Sequence, residues 1–389
     1  MPFQYGLERL PTSIRADLVL TLLEAARFSH PMWQDFFVER AKEFAVPDLH
    51  GDAYLDARLA QSRYRLDRKS EESRQAAASP VAPSIVDKRT HAAMGEIAIQ
   101  HALHCLNDGR LSEAKSSLES WSPLDQTPSP MEQAVLFNRD VLLGRVLRLQ
   151  GEFRDSLKCL ERARKIAVAA AAAGQQRRGL VFDQDAGVLA CQLAKTLLEL
   201  DDPVSAELHL RAEISQQAQH DEPAVVAHLY NVQLLLAEAL FAQDRFEEAE
   251  TLCLAVRARR RLTKPCKLRT SIALAMISHV QSHNEEALSR WRDAMHRAMI
   301  CKPVDPHSTR AIAMSICDVA RRLDDPVLLR ESLEQLAALA KPAGLDWSKD
   351  RHPDLRRWSR YLLSGGLAKV LDRREDLRDL DKRLGLSTP

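Results

Sequence analysis

The chain has 389 residues, 55 basic against 54 acidic residues, 45% hydrophobic residues and seven cysteines. Its net charge of +1 predicts no overall attraction to nucleic acid or to an anionic membrane. The apolar fraction is sufficient for a packed core. The sequence contains no run of about 18 apolar residues, so no membrane span is predicted. The cysteines are dispersed without a Cys-x-x-Cys pair, which is typical of reduced thiols in a cytoplasmic or nuclear protein.

The N-terminal region, residues 1–68, predicts a helical module. Leu18, Leu20, Leu22, Leu23 and Ala26 are placed on the buried side of one helix. A second apolar stripe consists of Trp33, Phe36, Phe37 and Phe44. Residues 69–90 are first charged and then rich in Ala, Ser and Pro, which predicts a linker.

From about residue 91 the chain repeats an apolar helix, a short turn and a second helix that opens with acidic residues and a small residue. The turns begin at six positions, about 38 to 50 residues apart: Gly109, Gly151, Asp201, Asp244, Ser282 and Asp324. Glycine allows a positive φ where the first helix ends. Aspartate caps the second helix, and proline suits the first turn of a helix. The pattern therefore predicts about six antiparallel helix pairs.

Around each turn the side chains follow a fixed pattern. A small residue stands seven positions before the turn: Ala102, Gly144, Ala194, Ala237, Ala275 and Cys317. A second one generally stands five positions after it: Ala114, Ser156, Ala206, Ala249, Ala287 and Leu329. A large apolar residue generally follows four positions later: Leu118, Leu160, Leu210, Cys253, Trp291 and Leu333. In these positions the chain resembles the tetratricopeptide repeat family, with a longer period than that family's typical one of roughly 34 residues.

The resemblance implies an all-α fold, a right-handed α-solenoid of antiparallel helix pairs with an N-terminal helical module. The predicted array covers residues 91–345, and residues 346–389 are expected to form C-terminal capping helices, because terminal repeats need a polar outer face.

Few residue patterns in the chain suggest catalysis or metal binding. His101 and His104, and His279 and His283, have helical spacing, but no His-Glu-x-x-His motif accompanies either pair. The Asp-Asp-Pro turns at 201–203 and 324–326 leave an all-α enzyme with an aspartate-rich magnesium site as an alternative, although helix capping also explains them. We therefore expect no catalytic residue, no metal and no cofactor.

The most basic local segment, 257–269, includes Arg257, Arg259, Arg260, Arg261 and Lys264 and contains no acidic residue. A nuclear-import signal or a site for an anionic partner is one interpretation. The other is a solvated helix end, where cations suit the helix dipole. A nuclear regulatory or nucleic-acid-associated subunit is therefore an alternative function.

The repeat family implies binding in a concave groove lined by the first helix of each pair. The residues proposed to bind a partner there are Asn138, Arg145, Arg148, Lys195, Asn231, Glu238 and Arg269. The other residues assigned to the groove are Glu96, Leu103, Asn107, Glu199, Leu234, Met276 and His279. The predicted function is a non-catalytic scaffold or adaptor, or a subunit of a larger complex, that binds a peptide or helix of a partner protein.

Overall fold

The computed structural model describes residues 31–44, 88–172, 180–217, 223–259, 262–301 and 306–340, and isolated residues within 15–25 and 358–364. All secondary-structure elements of the described residues are helices, and none is a strand. The chain divides into two compact units, residues 1–189 and 190–389. Much of the predicted linker, residues 69–87, lies outside the described residues.

Besides helical residues within 15–25, the described residues of the first unit form five helices and the start of a sixth. Their bounds are α1 Pro31–Phe44, α2 Lys88–Asn107, α3 Leu111–Glu119, α4 Pro130–Gln150, α5 Phe153–Ala172 and α6 Leu180–Glu199, the last ten residues of which belong to the second unit. Helix α2 packs against α3 and α4, and α4 packs against α5.

Besides helical residues within 358–364, the described residues of the second unit continue with seven helices. Their bounds are α7 Pro203–Gln217, α8 Pro223–Phe241, α9 Phe246–Arg257, α10 Lys264–Val280, α11 Asn284–Ile300, α12 Pro306–Arg322 and α13 Pro326–Ala340. Helix α8 packs against α7, α9 and α10, and α12 packs against α11 and α13. Each predicted turn therefore joins two consecutive helices in the positions that the repeat pattern indicates.

All six turns have the same backbone geometry. The first turn residue has a positive φ in each, between 53° and 86°, although only Gly109 and Gly151 are glycines. The amide of the next residue donates to a carbonyl five positions back, as from Arg110 to Cys105 (2.8 Å) and from Asp325 to Ala320 (3.1 Å). This is the Schellman pattern that satisfies the last carbonyls of a helix. The turns are therefore confirmed, and Asp and Ser adopt the left-handed conformation in four of them.

The aspartates of both Asp-Asp-Pro turns act as helix caps. Asp202 accepts from the amide of Ser205 at 3.1 Å, and Asp325 accepts from the amide of Leu328 at 3.0 Å. Such side-chain bonds satisfy amides that have no partner inside the helix. Capping therefore accounts for these two carboxylates.

Small residues at the pattern positions let the helices of a pair approach closely. Ala114, Ala206, Ala249 and Ala287 have no exposed surface. A Cβ added to Gly144 would lie 2.6 Å from Cγ of Leu160, and the Ser156 hydroxyl donates to the Gly144 carbonyl at 2.7 Å. Glycine is thus required sterically where α4 meets α5.

Helix α1 corrects the apolar stripe predicted for the N-terminal module. Val38 and Ala41 are its buried residues, at 1% and 0% exposure. Trp33 and Phe36 are 52% and 48% exposed. The stripe was therefore wrong for these two residues, because aromatic residues on an amphipathic helix define its apolar side only when a neighbouring element covers them. Phe37 is half-buried, and the side chain of Phe44 lies outside what the structure describes.

Among the described helices, none is both long enough and apolar enough to cross a membrane.

Candidate partner-binding face

The first helix of each pair, here called an A helix, presents one lateral face that other helices leave partly open. We define this A-helix face by the residues 13, 9, 6 and 2 positions before each turn residue, since steps of three and four residues stay on one side of a helix. In α2 and α4 these are Glu96, Gln100, Leu103, Asn107, Asn138, Leu142, Arg145 and Leu149. In the second unit they include Gln192, Lys195 and Glu199 in α6, Asn231, Leu235 and Glu238 in α8 with Ala242 directly after it, Arg269, Ala273, Met276 and Val280 in α10, and Ala311, Ser315, Asp318 and Arg322 in α12.

The residues one position away point into the core. The residue ten positions before the turn is buried in all six A helices, at 1% to 8% exposure: Ile99, Val141, Cys191, Leu234, Ile272 and Met314. One residue turns the side chain by about 100° around the helix axis. A single residue of register therefore separates most positions of the A-helix face from the core side, although Leu142 and Leu235 on that face are themselves buried, at 7% and 1% exposure.

This register corrects three of the assigned groove residues. Leu234 and His279 are 1% and 0% exposed, and Arg148 is 4% exposed. Leu234 lies ten positions before its turn, and the other two lie three positions before theirs, so all three face inward. Leu149 and Val280 hold the corresponding outward positions in α4 and α10.

In the first unit the A-helix face of α4 carries Asn138 and Arg145. A capping box at the start of α4, in which Ser129 accepts from the Glu132 amide and its own amide donates to Glu132, sets where the helix begins. Asn138 is half-buried and Arg145 is exposed. Neither side chain has a hydrogen bond or ion pair to any part of the chain that the structure describes.

The surroundings of Arg145 differ from those of an ordinary surface arginine. Burial in the surrounding protein lowers the pKa of its guanidinium. A nearby opposite charge favours the charged form of such a cation, so an anionic group is a favourable partner for Arg145.

In the second unit two assigned residues bind each other. The Arg269 guanidinium on α10 donates to Glu238 on α8 at 2.7 Å and 2.9 Å. Asn231 accepts from the Cys266 thiol at 3.5 Å, and Lys195 is half-buried. The ion pair joins two consecutive A helices and leaves Glu238 and Arg269 less available to a partner than Arg145 is.

His279 forms a buried polar network rather than half of a metal site. Its Nε2 lies 2.9 Å from Oδ2 of Asp318, and its Nδ1 accepts from the Trp291 indole at 3.1 Å. An indole N–H can only donate, so Nδ1 is the unprotonated nitrogen and Nε2 donates to the carboxylate. Burial lowers the pKa of His279, despite the opposing effect of Asp318.

Arg321 and Arg322 complete this network. Both guanidinium groups donate to the Asp318 carboxylate at 2.7 Å. These bonds, with that from His279, hold the pKa of Asp318 well below its usual range although burial opposes the shift. Within this network both ring nitrogens of His279 have a hydrogen-bond partner, Asp318 for Nε2 and Trp291 for Nδ1.

The remaining histidines do not assemble a site. His283 is exposed, and His101 lies 3.2 Å from the Ser117 hydroxyl. Burial lowers the pKa of His101. Across the described ranges no group of three His, Cys, Asp or Glu residues is arranged to hold a metal ion.

The basic segment lies where α9 ends and α10 begins. Arg257, Arg259 and Lys264 are exposed, and among the residues that the structure describes none of the three has an ion-pair partner. Arg260 and Arg261 lie outside the described residues. The Thr263 hydroxyl accepts from the Cys266 amide and caps α10.

The first unit also has a cleft of 420 Å³, which is lined by residues of α3, α4 and α5. Its charges include the pair of Lys115 with Glu152, at 2.9 Å, and that of Lys158 with Asp155, at 2.7 Å. Arg162 on its wall binds the buried Asp140 at 2.9 Å. Because these groups neutralise one another, the cleft offers a weaker attraction to a charged ligand than Arg145 does.

Comparison with known proteins identifies the fold. No family model matches the chain, and a search of curated proteins finds no match. Among solved structures, a Rap protein in complex with competence and sporulation factor is similar, with a TM-score of 0.56, 11% sequence identity and 96% of each chain covered. At this identity the likeness concerns the fold alone. With the helix pairs described above, it confirms the predicted class: the chain is an all-α, helical-repeat solenoid of antiparallel helix pairs.

Proposed function

We propose that the protein is a non-catalytic, tetratricopeptide-like scaffold that binds a peptide or helix of a partner protein on its A-helix face. The observation that carries this proposal is the pair Asn138 and Arg145 on α4. Both are accessible polar side chains without a partner in the described part of the chain, and both stand on the face that the repeat geometry aligns.

The two side chains suit a peptide chemically. An amide side chain both donates and accepts, which matches the alternating groups of a peptide backbone. A guanidinium binds a carboxylate through two parallel hydrogen bonds. Seven residues of helix separate them by about 10.5 Å, the length of roughly three residues of an extended chain.

The half-buried leucines of the same face supply the apolar part of the site. Leu103 and Leu149 pack partly against the core of the first unit, and Leu142 at 7% exposure lies between Asn138 and Arg145. An apolar floor with a few convergent polar groups is the usual composition of a recognition surface. The similar Rap protein was crystallised in complex with a factor, which is consistent with ligand binding by this fold.

The non-catalytic part of the proposal rests on the polar groups that were considered as catalytic or metal-binding residues, because these groups have structural roles instead. Asp202 and Asp325 cap helices, and both nitrogens of His279 are engaged.

Affinity purification of the full chain followed by mass spectrometry tests the proposal. Wild type is compared with Arg145→Glu and Asn138→Ala. Arg154→Glu on α5 is the matched control, because Arg154 is an exposed arginine off the A-helix face. We expect a partner protein that wild type and the control retain and that Arg145→Glu loses by at least about tenfold, the effect of one charge-assisted contact. Equal capture by all four proteins would refute the assigned face, and the absence of any partner protein would refute the scaffold function.

A second candidate function, a nuclear or nucleic-acid-associated subunit, is supported by the exposed cations Arg257, Arg259 and Lys264. Replacing all three with Gln is expected to reduce nuclear accumulation of a fluorescent fusion or retention on a nucleic-acid column. Unchanged behaviour in both assays would remove this candidate.

A further inference from the structure

Trp358, which lies after the last helix pair in the chain, is buried against the second unit. Its side chain is 3% exposed. Its ring centroid lies 6.3 Å from that of Phe241 on α8, 5.3 Å from that of His279 on α10 and 5.8 Å from that of Trp291 on α11. Its indole N–H donates to the Ser315 hydroxyl on α12 at 2.9 Å. One residue thus contacts three consecutive A helices and the partner helix of α10.

Two neighbours of Trp358 reinforce this contact. Leu362 is 1% exposed and belongs to the same apolar cluster. Tyr361 stacks on Trp358 with a centroid distance of 4.8 Å and an angle of 20°. Tyr361 and Asp318 raise the pKa of Arg322 on α12, although burial opposes the shift. Trp358, Tyr361 and Leu362 are helical and stand at positions i, i+3 and i+4, the spacing with which an amphipathic helix presents its anchors to a groove.

The place where these anchors dock is the A-helix face of α12. Ser315 and Arg322 are two of its four defined positions. Ala311, Ser315 and Asp318 are 2%, 0% and 2% exposed, whereas Arg269, Ala273 and Met276 at the matching positions of α10 are half-buried. The face that is partly open on α10 is therefore closed on α12.

The covered surface is polar as well as apolar. His279, which the tryptophan contacts, is bonded to Asp318 and to Trp291, and Asp318 in turn accepts from Arg321 and Arg322. Water can solvate such groups when the helix leaves, which a purely apolar core does not permit. The chemistry of this surface thus suits a reversible contact.

We propose that the surface formed by Phe241, His279, Trp291 and the A-helix face of α12 is a docking site for an amphipathic helix with Trp, Tyr and Leu anchors at i, i+3 and i+4, and that the stretch of this chain that carries Trp358, Tyr361 and Leu362 is its resident occupant. A partner helix with the same anchors competes with this segment, which makes the segment an internal inhibitor of the site. This proposal deepens the proposed function. Only the competition with an external partner helix rests on that function.

Binding in trans provides the test. The probe is a fluorescently labelled peptide of residues 351–372, added to the full chain with Trp358→Ala and Leu362→Ala and to wild type. A tethered segment has an effective concentration in the millimolar range, so we expect the peptide to bind the double variant at least about tenfold more tightly than wild type. The same peptide with Trp358→Ala is the control and is expected not to bind.

A second measurement separates docking from folding. Hydrogen exchange of wild type is expected to be faster at residues 358–364 than in α12, because a reversibly docked helix opens without unfolding the repeats. Equal protection of the two regions, loss of helical circular dichroism in the double variant, or peptide binding that is the same for both proteins or absent from both would overturn the proposal. Each result is obtained without an external partner, so failure to capture one refutes the scaffold function and leaves this docking site in place.

Discussion

Replacing Trp291 with phenylalanine removes the N–H that satisfies Nδ1 of His279 and keeps most of the aromatic ring. Trp291 is 1% exposed, His279 has no exposed surface, and the bond between them is 3.1 Å long. A buried acceptor left without a donor costs about 1–3 kcal/mol. The smaller ring adds about 1 kcal/mol, at ~24 cal/mol per Å³ of residual cavity. We therefore expect a loss of about 2–4 kcal/mol in the opening free energy of this part of the second unit.

Native-state hydrogen exchange of the α10 amides is the appropriate assay, because helical repeats unfold in parts rather than as one unit. The expected loss corresponds to exchange that is roughly 30- to 700-fold faster, at 1.4 kcal/mol for each factor of ten. Trp33→Phe is the matched control, since Trp33 is 52% exposed, and it is expected to leave α10 unchanged. Unchanged exchange in Trp291→Phe would mean that Nδ1 does not depend on the indole, and the assigned histidine tautomer would be wrong.

Three further changes test other parts of the structure. Gly144→Ala places a Cβ 2.6 Å from the Leu160 side chain and is expected to cost about 1–3 kcal/mol in the urea-unfolding free energy of the first unit; an unchanged urea midpoint would show that the helices separate freely. Burial lowers the pKa of His279 below its unfolded value of 6.5, so its contribution to stability is complete above pH 6.5 and is lost as the pH falls from 6.5 through the folded pKa; thermal unfolding from pH 8 to pH 5 is expected to show this loss in wild type and not in His279→Gln. Asp202→Ala removes the cap of α7 and is expected to cost about 0.5–2 kcal/mol, measured by exchange of the α7 amides, whereas Asp201→Asn is expected to have a smaller effect because asparagine also tolerates a positive φ.

The turns were predictable because their causes are local. A positive φ at the end of one helix, an aspartate before the next and a small residue five positions later all act within one turn of the chain. Asp201 and Ser282 could therefore be aligned with Gly109 although their side chains differ. The small residue before each turn was informative for the same reason, since it stands at a fixed distance from a local signal.

The orientation of the A-helix face was predictable only in part. Asn138 and Arg145 were assigned to the side of α4 on which the structure places them, and their role stays a prediction. Arg148 was assigned to the same side and is buried, because one residue of slip rotates a side chain by about 100°. Leu149 takes the outward position instead, and an arginine is a stronger sequence signal for a surface than a leucine is.

Contacts between distant residues had no signal in the sequence. Arg269 binds Glu238 across 31 positions of the chain, and His279 binds Asp318 across 39. Trp358 reaches Ser315 across 43 positions, and its region predicted only a capping helix with an apolar side. Amphipathic spacing shows that a side chain will be covered and does not name the residues that cover it.

By itself the sequence determined the all-α class, the six helix pairs and the residue at which each pair turns, because capping, backbone conformation and side-chain size act between near neighbours. Only the tertiary structure decided which side of each A helix is open, which charges neutralise one another and where the C-terminal tryptophan docks. Those outcomes depend on how helices pack across tens of residues, where a rotation of one residue exchanges a core position for a surface one.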